Sequence, residues 1–296
     1  MKSTREPFSA CLITLNEEGN LEDALASVDF ADEIIVVDSH STDATRDIAA
    51  RFRGRDRNGD TVVPQIIERD WPGHVQQKNF AIDAAQYDWV FCLDADERVT
   101  PELRREIESA LSKSSPAVVG YTVPRRTFYL GRWIRYGGWY PDRKLRLFRR
   151  SCGEWGGVNP HDHVYVDGRV QDFRGDLQHY SYRNMAQHIR TINFFTDIAA
   201  KEKQHRKVRF PLLRMLVHPP AKFFKMYVLQ RAFLEGTVGL LLSGLGAFYV
   251  FLKYAKLWRN QTHYWKEAEI ASSTPRFEPQ ADWAGRPSDS VGGGAE

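Results

Sequence analysis

The chain has 296 residues, of which 42% are hydrophobic and 27% are charged, and its formal net charge at pH 7 is +3. This length is long for one domain and short for three, so we expect one main domain with an appendage. The small net charge does not indicate a nucleic-acid binder, and no nucleic acid is expected as a partner. The cysteines at positions 11, 92 and 152 lie far apart, which favours a reducing compartment over a disulfide framework or a zinc site.

The N-terminal segment does not have the pattern of a secretion signal. Arg5, Glu6 and Pro7 precede a short apolar run, and Asn16 ends that run at once. We therefore expect the protein to be cytoplasmic, unless a later segment of the chain enters a membrane.

Strand and helix signals alternate over the first 110 residues. Thr100 followed by Pro101 predicts a capped helix start. The other predicted elements are strands over 9–15, 33–38, 62–67 and 89–93 and helices over 42–52 and 75–87. Because these strands are apolar throughout, the alternation indicates an α/β domain with a mostly parallel sheet and helices on both faces.

The pattern changes after about residue 117. Short strands are predicted over 118–123, 144–148 and 164–170, separated by glycine-rich and aromatic loops. A helix is predicted from 184 to about 203, because apolar residues recur there at helical spacing. The stretch from about 272 is rich in Pro, Gly, Ser and charge, and we expect it to be disordered.

Two aspartates follow the apolar strand that begins at Trp89. Asp94 and Asp96 are two residues apart, so on an extended chain their side chains point the same way, with Cα atoms roughly 6.6 Å apart. Both carboxylates can then reach one divalent ion, and oxygen ligands favour Mg²⁺ or Mn²⁺ over zinc. The alternative is a strand followed by a solvated acidic turn.

Two further strand ends deliver polar residues to the same edge of the predicted sheet. Asp38 ends one strand, and the segment from Leu15 to Glu17 follows another. Ligands of open α/β sheets bind at the carboxyl ends of the strands. We therefore expect Asp38, Asp94 and Asp96 to converge around one cation and a pyrophosphate, although Asp38 alone could be an ordinary helix cap.

The segments TLNEE, VVDSHSTDAT, QQKNFAIDAA and VFCLDADE occur in that order. This ordered set resembles the family-2 inverting glycosyltransferases with the GT-A fold. The later GGWYPDRKLRLFRR, VNPHDHV and HYSY segments look like the subgroup that includes the lipopolysaccharide-core β-glucosyltransferases. The resemblance covers roughly residues 8 to 260 and implies sugar transfer from a nucleotide-diphosphate donor, such as a UDP-sugar, to a lipid-linked or cell-envelope glycan.

The resemblance also implies roles for individual residues. Glu17 and Asp38 would hold the base and ribose of the donor, and Lys78 would lie near the nucleotide or its phosphates. The nucleotide-binding residues expected on this basis are Leu15, Asn16, Glu17, Asp38, Lys78 and Asp94. The expected ligands of a divalent cation are Asp96, Asp94 and His161.

Asp142 falls where the family places its catalytic base, and His161 falls where many GT-A enzymes contribute a further metal or phosphate contact. The sequence departs from the family pattern at both places: the usual Glu-Asp appears as Pro141-Asp142, and the subgroup's His-Glu appears as His161-Asp162. A carboxylate within hydrogen-bond reach can accept the proton of the acceptor hydroxyl, which is a weak nucleophile. Asp142 could also be a turn residue after proline, and His161 a loop histidine without a ligand.

The C-terminal third combines basic and bulky apolar residues. Between Lys201 and Arg231 there are nine Lys or Arg residues and one acid, Glu202. This mixture suits a helix that lies on an anionic bilayer surface. Residues 236–252 then form an uncharged run that as a helix would extend roughly 26 Å, short of a hydrocarbon core of about 30 Å. Partial insertion or an in-plane hairpin is therefore favoured over a true span or a buried soluble helix.

These features divide the chain into a GT-A domain over 1–180, a helical membrane-associated region over 181–271 and a tail over 272–296. The expected location is the inner face of the cytoplasmic membrane, with peripheral or monotopic attachment. Two other functions remain open at this point. One is a non-catalytic membrane-associated scaffold with the same fold, and the other is a phosphatase that uses the Asp-x-Asp motif as its nucleophile. The oligomeric state is not indicated.

Overall fold

A computed structural model describes residues 5–113, 115–158, 161–182 and 184–262. The tail predicted over 272–296 lies outside these residues. The strands, in chain order, are β1 (Phe8–Thr14), β2 (Glu33–Asp38), β3 (Gly54–Arg55), β4 (Thr61–Val62), β5 (Gln65–Glu68), β6 (Trp89–Asp94), β7 (Glu97–Val99), β8 (Val118–Tyr129), β9 (Arg132–Trp133), β10 (Asp142–Arg149), β11 (Gly153–Val158), β12 (His161–Val166), β13 (Arg169–Asp172) and β14 (Leu177–His179). The α-helices are α1 (Leu21–Ser27), α2 (Thr45–Arg51), α3 (His74–Asp83), α4 (Pro101–Ser112), α5 (Met185–His205), α6 (Pro211–Phe224) and α7 (Gly236–Thr262).

The main sheet has the strand order β5-β2-β1-β6-β10-β8-β14-β7, with β9 and β13 also paired to β8. Its first four strands are mutually parallel, and β10 runs antiparallel to both β6 and β8. The predicted α/β fold is therefore confirmed. Its sheet is mixed, because the chain returns through β10 next to the parallel half instead of extending the parallel order.

Both faces of the parallel half are covered by helices, as the apolar strands predict. Along β1, Ala10 and Leu12 pack with residues of α1 and α4, whereas Cys11 packs on the opposite face with Ala81 of α3. This alternation follows from the two-residue period of a strand. Helix α4 starts as predicted, since the Thr100 side chain accepts a hydrogen bond from the backbone N–H of Leu103 at 3.3 Å.

Two of the predicted strands have the wrong bounds. The strand predicted over 62–67 is divided into β4 and β5, because Pro64 cannot donate a ladder hydrogen bond. The strand predicted over 164–170 is interrupted at Gly168, where φ is +142°. Residues before this point pair with β11, and residues after it pair with β8 in the main sheet.

The helices α5, α6 and α7 form the appendage, and α7 packs along both α5 and α6. A short 3-10 turn, Ala232–Glu235, joins α7 to the preceding π-helical turn, Lys225–Leu229. Glu235 is buried and attaches this region to the sheet domain, since its carboxylate accepts hydrogen bonds from the backbone N–H of Arg135 at 2.7 Å and Tyr136 at 3.1 Å. The uncharged run over 236–252 is the first part of α7, which continues to Thr262.

Candidate active site

The carboxyl ends of three neighbouring strands lie at one edge of the sheet. In the parallel register, Thr14 of β1 stands opposite Asp38 of β2, and Ile13 stands opposite Asp94 of β6. The loops that leave these strands carry Asn16 and Asp96. The sheet therefore brings the predicted polar residues to the same edge, which is where α/β proteins bind their ligands.

Asp38 is completely buried at this edge and holds the two loops together. Its carboxylate accepts hydrogen bonds from Thr14 Oγ1 at 2.9 Å, Ser41 N at 2.7 Å and Ser41 Oγ at 2.5 Å. Both carboxylate oxygens are thus occupied by protein donors. Its predicted contact with a nucleotide stays a prediction.

The loop after β1 is tied to the loop after β2. Asn16 has a positive φ of 55°, which asparagine tolerates better than most residues, and its side-chain oxygen accepts a hydrogen bond from Thr42 N at 2.8 Å. The backbone N–H of Glu17 donates to Thr45 Oγ1 at 2.8 Å. Leu15, at the start of this loop, is 48% exposed. This arrangement leaves Leu15 and Asn16 on the surface beside the strand ends.

Asp94 lies between two cations. Its Oδ1 is 3.1 Å from Lys78 Nζ, and its Oδ2 is 2.6 Å from Arg146 Nη2. Burial alone would raise the pKa of Asp94, but the charges of Arg146 and Lys78 outweigh burial and hold that pKa well below its usual range. Asp94 is therefore ionised at neutral pH.

Glu97 and Asp162 extend this network of charges. Glu97 is completely buried, and its Oε1 lies 2.6 Å from Arg146 Nη2 and 3.4 Å from Arg125 Nη1. On the other side, Asp162 Oδ2 lies 2.8 Å from Lys78 Nζ. Acids and bases therefore alternate across the floor of the site, so that each buried charge has an opposite charge within contact.

Asp96 is oriented differently from Asp94. Its side chain is 28% exposed, and its Oδ2 lies 3.3 Å from Nε2 of His179. The backbone N–H of Tyr180 donates to the carbonyl of Asp96 at 2.8 Å, which links this turn to the segment before α5. Asp96 faces a polar cavity of about 430 Å³. The cavity is lined by Asn16, Glu17, Asn20, Asp96, Tyr180, Ser181, Asn184, Gln187 and Arg190.

The three carboxylates predicted to converge on one cation do not converge in this structure. Asp38 is enclosed by the Thr14 and Ser41 hydroxyls, Asp94 is held by two cations, and Asp96 faces the cavity. Among the described residues, no three carboxylate, imidazole or thiol groups are arranged to hold a metal ion. The residues present fit a divalent cation that is held by Asp96 and completed by substrate phosphates, which is a common arrangement for Mg²⁺.

Asp142 begins β10 and follows the cis peptide bond between Tyr140 and Pro141. Its side chain is 37% exposed and contacts Arg125 Nη2 at 2.6 Å and Lys144 Nζ at 3.1 Å. Burial would raise the pKa of Asp142, but the Arg125 and Lys144 charges lower it overall. The carboxylate is thus ionised and oriented by Arg125, as a proton acceptor requires, although its basicity is reduced.

The backbone of His161 belongs to β12, and its side chain lies outside the described part of the structure, so its predicted metal contact stays a prediction. The structure instead shows His179 beside Asp96. His179, Glu97 and Arg125 were not predicted as site residues. Arg146 lies at a β-bulge between Leu145 and Leu147, so its place in the site does not follow from the alternation of side chains along β10.

Cavity volume alone would have placed the active site elsewhere in the molecule. A polar cavity of about 670 Å³ lies on the far side of α3, between Asp83, Arg150 and Asp167, and none of the predicted site residues lines it. We therefore assign the candidate active site from the strand ends and the charge network.

The edge geometry, the Asp-x-Asp turn and the mixed sheet define a GT-A glycosyltransferase, and comparison with known proteins agrees. Residues 9–165 match the model of glycosyl transferase family 2, so the chain belongs to that family. It is 30% identical over 256 residues to the lipopolysaccharide core biosynthesis glycosyltransferase LpsC of Rhizobium meliloti, covering 86% of this chain and 92% of LpsC. An uncharacterised glycosyltransferase of Rickettsia typhi is also 30% identical, over 84% of this chain and 86% of its own length.

Among solved structures, the mannosyltransferase PcManGT of Pyrobaculum calidifontis is similar with a TM-score of 0.50 and 16% identity. The match covers 87% of this chain and 88% of that protein, whose structure contains GDP-Man and Mn²⁺. This likeness confirms the GT-A fold along most of the chain. Membership of the family favours an enzyme over the scaffold or phosphatase that the sequence had left open.

Proposed function

We propose that this glycosyltransferase moves a sugar from a nucleotide-diphosphate donor, a UDP-sugar, to a lipid-linked or cell-envelope glycan, with inversion at the anomeric carbon. The observation that carries this proposal is the site of alternating charges at the carboxyl ends of β1, β2 and β6. Lipopolysaccharide core is the favoured acceptor class, because LpsC, whose name assigns it to that pathway, resembles this chain over almost its whole length.

The donor nucleotide would lie against Leu15, Asn16, Glu17 and Asp38, with its phosphates toward Lys78 and Asp94. Lys78 and Arg146 lie on either side of Asp94 and can neutralise a diphosphate as it leaves. These cations are already fixed by their contacts with Asp94, Asp162 and Glu97. Little reorganisation is then needed when charge develops on the leaving group.

A divalent cation, Mg²⁺ or Mn²⁺, would be held by Asp96, with Asp94 and His161 as the further ligands proposed from the sequence. The position of His179 beside Asp96 makes it an additional candidate ligand. When bound, the cation offsets negative charge on the diphosphate. The neighbour PcManGT, with Mn²⁺ and GDP-Man in its structure, supports the use of such a cation.

Asp142 would accept the proton of the acceptor hydroxyl as the new glycosidic bond forms. Its lowered pKa keeps it ionised at neutral pH and in mildly acidic solution, so transfer should decline only at pH values below the usual carboxyl range. Arg125 fixes the orientation of the carboxylate through contacts from Nε at 3.0 Å and Nη2 at 2.6 Å.

The appendage would attach the enzyme to the inner face of the cytoplasmic membrane, peripherally or monotopically. The segment Ala232–Thr262 is long and apolar enough to cross a membrane, and only 22% of its most apolar window is buried. Exposed leucines and phenylalanines continue along α6, including Leu213 and Leu216 at 61% and 67% exposure. An exposed apolar surface of this kind, mixed with basic residues, suits an anionic bilayer.

Release of nucleoside diphosphate from UDP-sugars in the presence of Mg²⁺ or Mn²⁺ tests the reaction. Asp96→Ala should lower both donor hydrolysis and transfer at least about a hundredfold, since it removes the proposed cation ligand. Asp142→Asn should lower transfer about 10²- to 10⁴-fold and leave nucleotide binding intact. Asp167→Asn is the matched control, because Asp167 lines the other cavity. Full activity in correctly folded Asp96→Ala would exclude the proposed site.

A further inference from the structure

A cavity of about 250 Å³ lies between the sheet domain and the appendage. Its wall is mostly apolar and comes from the segments around Trp139 and Tyr182 and from α5, α6, the π-helical turn and α7. Ile192, Met226 and Leu242 are among its lining residues and are almost completely buried. The volume falls just below the usual range of small-molecule pockets, about 300–1,000 Å³, so it suits part of a larger amphiphile.

The polar groups of this wall are already satisfied or uncharged. His188 Nδ1 is 2.8 Å from the Tyr129 hydroxyl, and burial lowers the pKa of His188 to about 4, so the imidazole is neutral at neutral pH. The lining residue that carries a charge is Lys222. Its aliphatic stem lies against α7 at Gly246. A methyl group in place of the Gly246 hydrogen would lie 3.7 Å from Lys222 Cε.

Two further lysines, Lys203 and Lys253, have no acidic partner among residues 184–262. Lys253 Nζ is 5.6 Å from the ring centroid of Tyr249, which also lines the cavity, and 5.0 Å from that of Tyr254. Lys203 Nζ is 5.8 Å from the same Tyr254 ring. Burial and the charges of Lys203 and Lys222 lower the pKa of Lys253. Lys203 and Lys253 therefore both lie against the Tyr254 ring, and the charged form of Lys253 is disfavoured by its own burial and by the two other lysines.

The acids of residues 184–262 form ion pairs with cations other than these lysines. Asp197 pairs with Lys256 at 2.8 Å, Glu202 pairs with Arg206 at 2.6 Å, and Glu235 pairs with Arg132 at 3.1 Å. Burial and the charge of Glu202 raise the pKa of Tyr249, so Glu202 lies close to this lining residue. A group of half-buried cations that the described acids do not neutralise is suited to an anion from outside the chain. The exposed apolar surface of α6 and α7 indicates where that anion comes from, since lipid phosphates lie at the level of such a surface.

We propose that this cavity binds the alkyl chain of a membrane lipid whose phosphate is held by Lys203, Lys222 and Lys253. The cavity shares segments with the active site: Trp139 lies three residues before Asp142, and Tyr182 lies two residues after Tyr180, which contacts the Asp96 turn. Lys203 and Lys253 lie further along α5 and α7 than the residues that line the cavity, so the alkyl chain would lie on the side of the active site and the phosphate on the side away from it. The lipid site itself does not rest on the proposed function.

Titration of the full-length protein with decyl phosphate, below its micellar concentration, tests the site directly. Decyl phosphate should bind at least tenfold more tightly than either inorganic phosphate or decyl maltoside, because each of these lacks one half of the ligand. Lys222→Gln should weaken decyl phosphate binding at least fivefold, and Thr191→Phe, which fills the cavity, should do the same. Lys201→Gln is the control, because it removes an exposed charge of the same helix α5 that carries Lys203.

Equal binding of inorganic phosphate and decyl phosphate would mean that the lysines bind free phosphate, and it would overturn the lipid site. Equal binding of decyl maltoside, or equal affinity in Lys222→Gln and Lys201→Gln, would overturn the role of the lysines. Metal-dependent donor hydrolysis, measured without lipid, separates this inference from the proposed function. Lys222→Gln should keep that hydrolysis at the wild-type rate. If the wild-type protein itself shows no donor hydrolysis, that result counts against the transferase site and not against the lipid site.

Discussion

The sheet domain and the helical appendage arrange their charges in opposite ways. In the sheet domain, Arg146 is buried between Asp94 and Glu97, and Lys78 contacts two carboxylates. In the appendage, Lys222 and Lys253 lie close together, and no described residue pairs with them through a carboxylate. Leucines that would normally be buried are more than half exposed on α6.

This difference indicates that the two regions reach stability by different means. Each charged side chain of the site in the sheet domain has an opposite charge within the protein, so the site keeps its geometry before a substrate binds. The appendage exposes apolar surface and unneutralised cations, both of which an anionic lipid surface would cover. Three sets of variants can break or sharpen this contrast.

The largest effect is expected for Arg146→Met. Removal of this guanidinium leaves the completely buried Glu97 with the backbone N–H of Asp94 and with one cation, Arg125, at the longer distance of 3.4 Å. Breaking a buried ion pair from one side typically costs about 3–5 kcal/mol. Urea unfolding of the variant should therefore show a lower free energy of unfolding by that amount. Arg146→Met combined with Glu97→Gln should recover part of the loss, because it removes the unpaired charge.

The same substitution should change the acid sensitivity of the protein. Because the Asp94 pKa is depressed in the folded state, its contribution to stability is present above the unfolded carboxyl pKa of about 3.9 and is lost as pH falls through the folded value. Without Arg146, this contribution should be smaller at neutral pH. An acid-unfolding curve identical to that of the wild-type protein would contradict the assigned network.

A smaller effect is expected when two exposed leucines of α6 are replaced. Leu213→Ser with Leu216→Ser should weaken binding to vesicles containing phosphatidylglycerol by about tenfold or more, since a fully buried leucine contributes roughly 1.5–3 kcal/mol. Val63→Ser is the control, because Val63 is 53% exposed but lies in the sheet domain. Equal vesicle binding by all three proteins in a sedimentation assay would show that α6 does not contact the bilayer.

The contrast also explains which parts of the molecule the sequence could predict. The parallel strands β1, β2 and β6 are continuous apolar runs that end in polar residues, so Asp94, Asp96 and the edge they occupy follow from local pattern. His179 and Arg125 reach the site from β14 and β8. Their neighbours are set by long-range pairing, which local pattern does not reveal.

For the appendage, the sequence predicted the kinds of residues that lie on its surface but not how its helices pack. The basic and apolar residues of 201–231 indicated a bilayer surface, but the packing of α7 along α5 and α6 determines which lysines meet. The uncharged run over 236–252 was considered as one helix, and α7 extends beyond this run to Thr262. It continues because Tyr254 and Leu257 are buried against Ala200 of α5.

The smallest effect, with the opposite sign to that of Arg146→Met, is expected for Lys222→Met. Burial and the charge of Lys225 lower the pKa of Lys222, so the folded state disfavours its charged form and methionine removes that penalty. Without lipid, the free energy of unfolding should stay the same or rise by up to about 1 kcal/mol, a small change because Lys222 is only half-buried. Urea unfolding without detergent measures the change. A loss as large as that of Arg146→Met would show that Lys222 has an anionic partner within the protein, and the contrast between the two regions would then be wrong.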